Sequence, residues 1–263
     1  MTIDWESLAS LEVALYTGTL PPPYRHQIHT RLQKGEAGWK VTFTIEYLDR
    51  DEVSEEEILE EGFTLEDDFE WEGPLPEAWA QHFAEAMKVT TFPHDQPKAT
   101  LLEPQIQIAW RTGIADAQAK VPAETGYWEY LLQELMQAIY ELAGLERPLE
   151  VSWRQVPKNP PAQQISLEAQ FAQRSATLKV MEDEQTVATQ LIPWEEVKEC
   201  MRHIYQYEFD VLRAKPKLPQ KRGTYLYLGE GGWLPIPEAL ISNTKDAPNG
   251  EAISDWFLQW AKA

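Results

Sequence analysis

One cysteine, Cys200, and five histidines are all that 263 residues offer toward thiol or soft-metal chemistry. A single cysteine excludes an internal disulfide, and no pair of histidines has zinc-ligand spacing, so neither a structural zinc nor another metal site is expected. His26 and His29 lie three apart on an expected strand, which sends them to opposite faces. Glu196 and Glu199 flank Cys200 and disfavour its thiolate, so the sequence gives it no nucleophilic role. Long apolar runs are also missing. Nothing approaches the ~20 consecutive apolar residues of a membrane helix, which argues against membrane association. Met1 to Thr17 carries Asp4, Glu6 and Glu12 without a basic stretch, unlike a secretory signal. A cytoplasmic protein is expected.

Nucleotide and hydrolase signatures are absent as well. Gly229-Glu230-Gly231-Gly232 is glycine-rich but lacks the Lys-Ser/Thr pair of a phosphate loop, and it lies between a tyrosine-bearing and a tryptophan-bearing extended segment. It reads as a hairpin turn. There is no Gly-x-Ser-x-Gly elbow and no calcium-loop pattern. No cofactor is expected, and no catalytic residue can be named.

Positive charge is scarce: 23 Lys and Arg stand against 43 Asp and Glu, for a net charge of −20. That balance disfavours nucleic acid as a ligand, because phosphate binding needs concentrated positive charge. Its distribution is uneven. Glu46 to Glu72 holds fourteen acidic residues and one basic, Arg50, a local balance of −13. Between Val211 and Arg222 the sign reverses, with Arg213, Lys215, Lys217, Lys221 and Arg222 against no acid.

What the chain has in abundance is tryptophan, eleven residues spread from Trp5 to Trp260. Such a spread suits core anchoring in several places better than one aromatic binding box. Three joins share a pattern of apolar residue, proline and nearby glutamate before an amphipathic run: Leu75-Pro76-Glu77, Ile192-Pro193-Trp194-Glu195 and Ile236-Pro237-Glu238. Proline and glutamate both suit the first turn of a helix, so a helix is expected after each join.

Ile3 to Tyr16 has Trp5, Leu8, Leu11 and Leu15 on one helical stripe and is expected as a short helix. Tyr24 to Leu32 and Trp39 to Leu48 read as a hairpin turning at Gly35 and Gly38, the second strand alternating Val41, Phe43, Ile45 and Tyr47 against polar residues. Ser54 and Glu57 form a capping-box pattern closed by Gly62. On an extended chain Glu66, Asp68, Glu70 and Glu72 share one face. Trp79, Phe83 and Met87 mark the buried side of the helix after the first join. Ile106, Ile108 and Trp110 alternate, and Thr125 to Ala143 is the strongest helix, with a wide stripe around Trp128, Leu131, Leu135 and Ile139. Past Pro148 come an extended segment, a meander, a long helix reaching Val211, linker material at Lys215 to Pro219, a hairpin at Thr224 to Leu234 and an aromatic-faced helix with Trp256 and Trp260.

These elements predict an α+β fold, antiparallel sheet with helices packed mainly on one face. Strands, proline join and helix follow in the same order twice, which permits two related halves. The expected divisions are 1–92, 101–212, and 213–263 packing on the rest. For function, the acidic segment and the missing catalytic motifs point to a non-catalytic protein-binding module of inhibitor or immunity type. It would meet a basic protein partner through Asp49, Asp51, Glu66, Asp67, Asp68 and Glu70. The alternative is an enzyme or small-molecule binder with a Trp- and Tyr-lined pocket between helices and sheet.

Overall fold

The computed structural model describes residues 3–96, 104–113, 119–241 and 248–261. The chain divides into two compact units, Met1–Leu145 and Glu146–Ala263. Both are antiparallel sheets with helices, so the fold is α+β.

In the first unit the strands are β1 (Ser10–Tyr16), β2 (His26–Gly35), β3 (Gly38–Tyr47), β4 (Phe69–Pro74) and β5 (Gln105–Arg111), in sheet order β4-β3-β2-β1-β5. Helix α1 (Glu55–Glu60) falls between β3 and β4, α2 (Glu77–Val89) follows β4, and α3 (Thr125–Leu142) follows β5. The register brings Leu11, Leu32 and Val41 into one row, Val13, Thr30 and Phe43 into the next, and Leu15, Ile28 and Ile45 into a third. All nine are buried. Ile106 and Ile108 of β5 extend the last two rows beyond β1. The helices bring Trp79, Phe83 and Met87 from α2 and Trp128, Leu131, Leu132, Leu135 and Ile139 from α3 to the same core. The Phe83 and Trp128 rings lie 6.3 Å apart, and the Trp128 indole N–H donates to Thr90 Oγ1 at 3.0 Å. Each such side chain contributes about 1.5–3 kcal/mol of burial before the entropy cost.

The opening segment is not a helix. After one 3-10 turn at Trp5–Ser7 it is strand β1, with Leu11, Val13 and Leu15 inward and Glu12 and Ala14 outward. Leucines at positions 8, 11 and 15 satisfy a helical stripe and, for the last two, a strand alternation. Pairing with β2 on one side and β5 on the other selects the strand.

The second unit contains β6 (Leu149–Val156), β7 (Gln163–Gln170), β8 (Ser175–Glu182), β9 (Gln185–Ile192), α4 (Trp194–Tyr205), β10 (Gly223–Tyr227), β11 (Trp233–Ile236) and α5 (Glu251–Trp260). Its sheet order is β11-β10-β6-β7-β8-β9. One core joins Val151, Trp153, Ile165, Leu167, Leu178 and Val180 of the sheet to Val197, Cys200 and Ile204 of α4 and Ile253, Trp256 and Phe257 of α5. Trp153 stacks on Phe257 at 6.2 Å, and its N–H donates to Ser254 Oγ at 3.2 Å. Trp256 is buried and Trp260 packs against the same core, so this helix spends its aromatic face inside its own unit.

The two units share one plan. A four-stranded meander leads through a proline into a helix, the fifth strand returns to the free side of the first, and a helix ends the unit. Pro76 and Pro193 occupy the N-cap of α2 and α4 with nearly the same backbone angles, φ −57° and ψ 145° against φ −59° and ψ 147°. The dividing line follows from this closure. β5 pairs with β1 over its whole length, so residues 105–145 group with the first unit rather than with 101–212. Residues 213–263 supply β10, β11 and α5 to the second.

Among the described residues, the third proline join carries a turn over 237–239 and no helix before Ile241. Ala239 N–H donates to Pro235 O and Leu240 N–H to Pro237 O, after which Leu240 bridges to Phe209. Helix α4 stops at Tyr205, short of Val211, which lies in an exposed 3-10 turn. Truncation of Phe83 to alanine tests how far the first core depends on the contact between α2 and α3. The expected loss is about 3–5 kcal/mol of unfolding free energy, read from the urea midpoint.

Candidate functional site

The acidic segment is built around arginines turned inward. β3 ends at Tyr47, and Asp49 takes the left-handed conformation at φ 59° before a 3-10 turn at Arg50–Glu52. Helix α1 then starts with a complete capping box, Ser54 Oγ accepting from Glu57 N–H while the Glu57 carboxylate accepts from Ser54 N–H at 2.9 Å. The Ser54 N–H, and the Ser54 hydroxyl that donates to the same carboxylate at 2.8 Å, hold the Glu57 carboxyl below its ordinary pKa. Ile58 is the one buried residue of the helix, and Phe63 N–H closes its end on Ile58 O at 3.2 Å.

The Arg50 guanidinium lies 4.0 Å from the Tyr47 ring centroid and 5.0 Å from that of Phe63. It donates to Thr64 O at 2.8 Å and pairs with Asp67 at 2.8 Å. Asp67 also accepts from Thr64 N–H at 2.9 Å and Thr64 Oγ1 at 2.6 Å. Burial raises the Asp67 pKa, but the Thr64 and Arg50 bonds outweigh it and the net shift is downward. Arg25 is used in the same way, paired with Asp49 and donating to the Tyr16 hydroxyl.

The six acidic residues expected from sequence therefore separate into two groups. Asp49 and Asp67 bind arginines, and Asp68 accepts the Tyr47 N–H at 2.7 Å, fixing the chain as it enters β4. These three serve the loop itself. Asp51 and Glu66 are exposed beside the helix, and Glu70 is exposed on the polar face of the sheet opposite Thr44. The expected row of Glu66, Asp68, Glu70 and Glu72 does not form. β4 begins only at Phe69, so Glu66 stays in the turn and Asp68 bonds back to β3. Of the row, only Glu70 and Glu72 share a face, and Glu72 is tied to Lys40 and Thr42.

Sequence reasoning did not single out Glu55, Glu56 and Glu60, although the pattern around Ile58 held the signal. One apolar anchor in a six-residue helix leaves every other direction to solvent. With Asp51, Glu52 and Glu66, they are exposed carboxylates without an ion-pair partner among the described residues. Little of this acidity serves the helix. Glu55, Glu56 and Glu57 suit its positive end, but Glu60 and Glu61 face the negative end, and Glu60 also meets Glu56 one turn before it.

The remaining candidate sites differ in character. The polar face of the first sheet has a concavity of ≈ 450 Å³ lined by Glu12, His29, Arg31, Thr42, Thr44 and Gln107. Its charged groups are spent on each other, Arg31 pairing with Glu12 at 3.1 Å. Between helices and sheet the space is filled by Trp79, Phe83 and Trp128 in one unit and by Trp153 and Phe257 in the other, all at most 1% exposed. The histidines are dispersed: His26 bonds Tyr24 O, His82 lies edge-on to Trp79, His94 pairs with exposed Asp95, and His203 approaches Glu199 at 3.9 Å. Cys200 is buried, which pushes its thiol far above its ordinary pKa. Among the described residues, no three His, Cys, Asp or Glu side chains gather as a metal site.

The lowered Asp67 pKa fixes the sign of an acid response. Its stabilising contribution is complete above the unfolded value of about 3.9 and disappears as pH falls through the lower folded value. Asp67→Asn is expected to lower stability at pH 7 and to flatten its decline below about pH 4, measured by urea midpoints from pH 7 to pH 2. No protein-family model, no curated protein and no solved structure matches this chain.

Proposed function

We propose that this chain is a non-catalytic cytoplasmic binding protein, of inhibitor or immunity type, whose acidic loop between β3 and β4 receives a basic protein partner. The observation that carries the reading is the sorting of charge in that loop. The loop's one arginine, Arg50, and its neighbour Arg25 from just before β2 are both turned inward, with 14% and 26% of the side chain exposed, while Asp51, Glu52, Glu55, Glu56, Glu60 and Glu66 face solvent. A loop that needed these carboxylates for its own stability would place cations beside them. A surface of one sign steers an oppositely charged partner and speeds encounter, an effect that weakens as salt screens it.

The anchoring of the loop fits that role. The capping box, the Ile58 plug and the Arg50 stack hold α1 in place, so little ordering is left to be paid at binding. The single buried cysteine also suits a reducing compartment.

The test compares the wild-type chain with a variant in which Asp51, Glu52, Glu55 and Glu56 are changed to their amides, each used to capture partners from native extract at 50 mM and 500 mM NaCl. A basic protein retained only by the wild type at low salt is expected, with association to the purified partner slowed about tenfold or more in the variant. Absence of any salt-sensitive partner, or equal retention by the variant, contradicts the proposal.

A further inference from the structure

The basic segment 211–222, of which Lys215 to Pro219 reads in sequence as linker material, is a strap tied to the second sheet. Lys215 exchanges both backbone hydrogen bonds with Trp233, each at 2.8 Å. Gly232 permits that approach, since at φ 111° an added Cβ would stand 2.7 Å from Lys215 O. Pro219 is buried, and its carbonyl accepts from Arg154 Nε at 3.0 Å. Lys221 O accepts the Tyr225 hydroxyl at 3.0 Å. On its far side Gln220 donates to Glu184 at 3.3 Å, and Glu184 also stands 3.9 Å from Arg154. Five separate ties make this a built element.

The strap gathers cations into a concave space. Arg213, Lys215, Lys221 and Arg222 line a cavity of ≈ 440 Å³ with Thr224, Tyr225 and Pro235, and Glu238 is its one acid. A neighbouring cavity of ≈ 380 Å³ shares Arg222, Gly223 and Thr224 and adds Lys158. Arg213 is paired with Asp210 at 3.0 Å, and the Lys215 ammonium lies 5.8 Å from the Tyr225 ring. Among the described residues Lys158, Lys221 and Arg222 have no carboxylate partner. Five cations facing two carboxylates leave three positive charges uncompensated in a chain of net charge −20. Like charges gathered on one surface repel each other, and an anion bound among them would relieve that repulsion.

We infer that the paired cavities bind a small molecule carrying a diphosphate or longer phosphate chain. The charge count sets the class, because a phosphate monoester brings only about −1.5 to −2 at neutral pH. The geometry agrees: Arg222 sits in the wall common to both cavities, with Lys221 and Lys215 on one side and Lys158 on the other. The cationic stretch is short, and the strongly acidic remainder of the chain opposes a long polyanion. The site lies wholly within the second unit and does not depend on the acidic loop.

The experiment is calorimetric titration of the full chain with pyrophosphate, tripolyphosphate and orthophosphate at constant ionic strength. Expected are one saturable site for the first two and at least tenfold weaker binding of orthophosphate. Lys221→Gln with Arg222→Gln should weaken pyrophosphate at least tenfold with the urea midpoint retained. Lys179→Gln, on the same sheet but outside the cavities, should leave it unchanged. Non-saturating heats, equal loss in the Lys179 variant, or binding untouched by the double substitution would overturn the inference. So would tight binding of a single-stranded RNA oligomer that pyrophosphate fails to displace.

Discussion

Leu11, Val13 and Leu15 project from one side of β1 while Glu12 and Ala14 project from the other, and this alternation is repeated in register across the sheet. In the second unit Val151 and Trp153 do the same beside Ile165 and Leu167. A sheet buried on one side only needs helices with a broad apolar stripe to cover it. The tryptophans, phenylalanines and leucines of α2, α3 and α5 supply the required area. The consequence is that each unit has one face committed to its apolar core and a second, more polar face.

The two most strongly charged segments are elaborations on the plan the units share. Where the second unit joins its third and fourth strands by the two-residue turn Asp183-Glu184, the first inserts the 3-10 turn and α1 with their carboxylates. After the helix of the second meander comes the basic strap, paired with the free edge of β11 at Lys215 and tied to Arg154 and Tyr225. Neither insertion is left loose. Arg50 pins one through two aromatic rings and Asp67, and Arg154 with Trp233 pins the other through backbone contacts. Opposite charge, in separate units, on anchored insertions is the pattern from which both functional proposals come.

Much of the fold was legible because it rests on local patterning. The β2–β3 hairpin, the Ser54 capping box, helix α3 and the meander of the second unit all declare themselves by alternation, glycine placement or a wide stripe. The elements misjudged were those decided by distant partners. Leu11 and Leu15 fit both periods until β2 and β5 choose between them, and Lys215 looks like linker until Trp233 is seen across from it. Ile236-Pro237-Glu238 repeats the sequence of a helix start, but Leu240 is taken by a bridge to Phe209. The same limit applies to the acidic site. Sequence reveals how many carboxylates there are, whereas their division between internal partners and solvent depends on where Arg25 and Arg50 point.

That division is open to a direct test through stability rather than binding. Glu56 and Glu60 face each other one helical turn apart, and Glu60 stands at the end of α1 where negative charge is unfavourable. Urea midpoints of Glu60→Gln, Glu66→Gln and the double variant, at low salt and in 0.5 M NaCl, measure whether the fold needs these exposed charges. If they are held for a partner, neutralising them stabilises the free protein at low salt and the gain fades as salt rises. If instead the variants are less stable at low salt, the carboxylates serve the fold, and the case for an acidic docking surface fails.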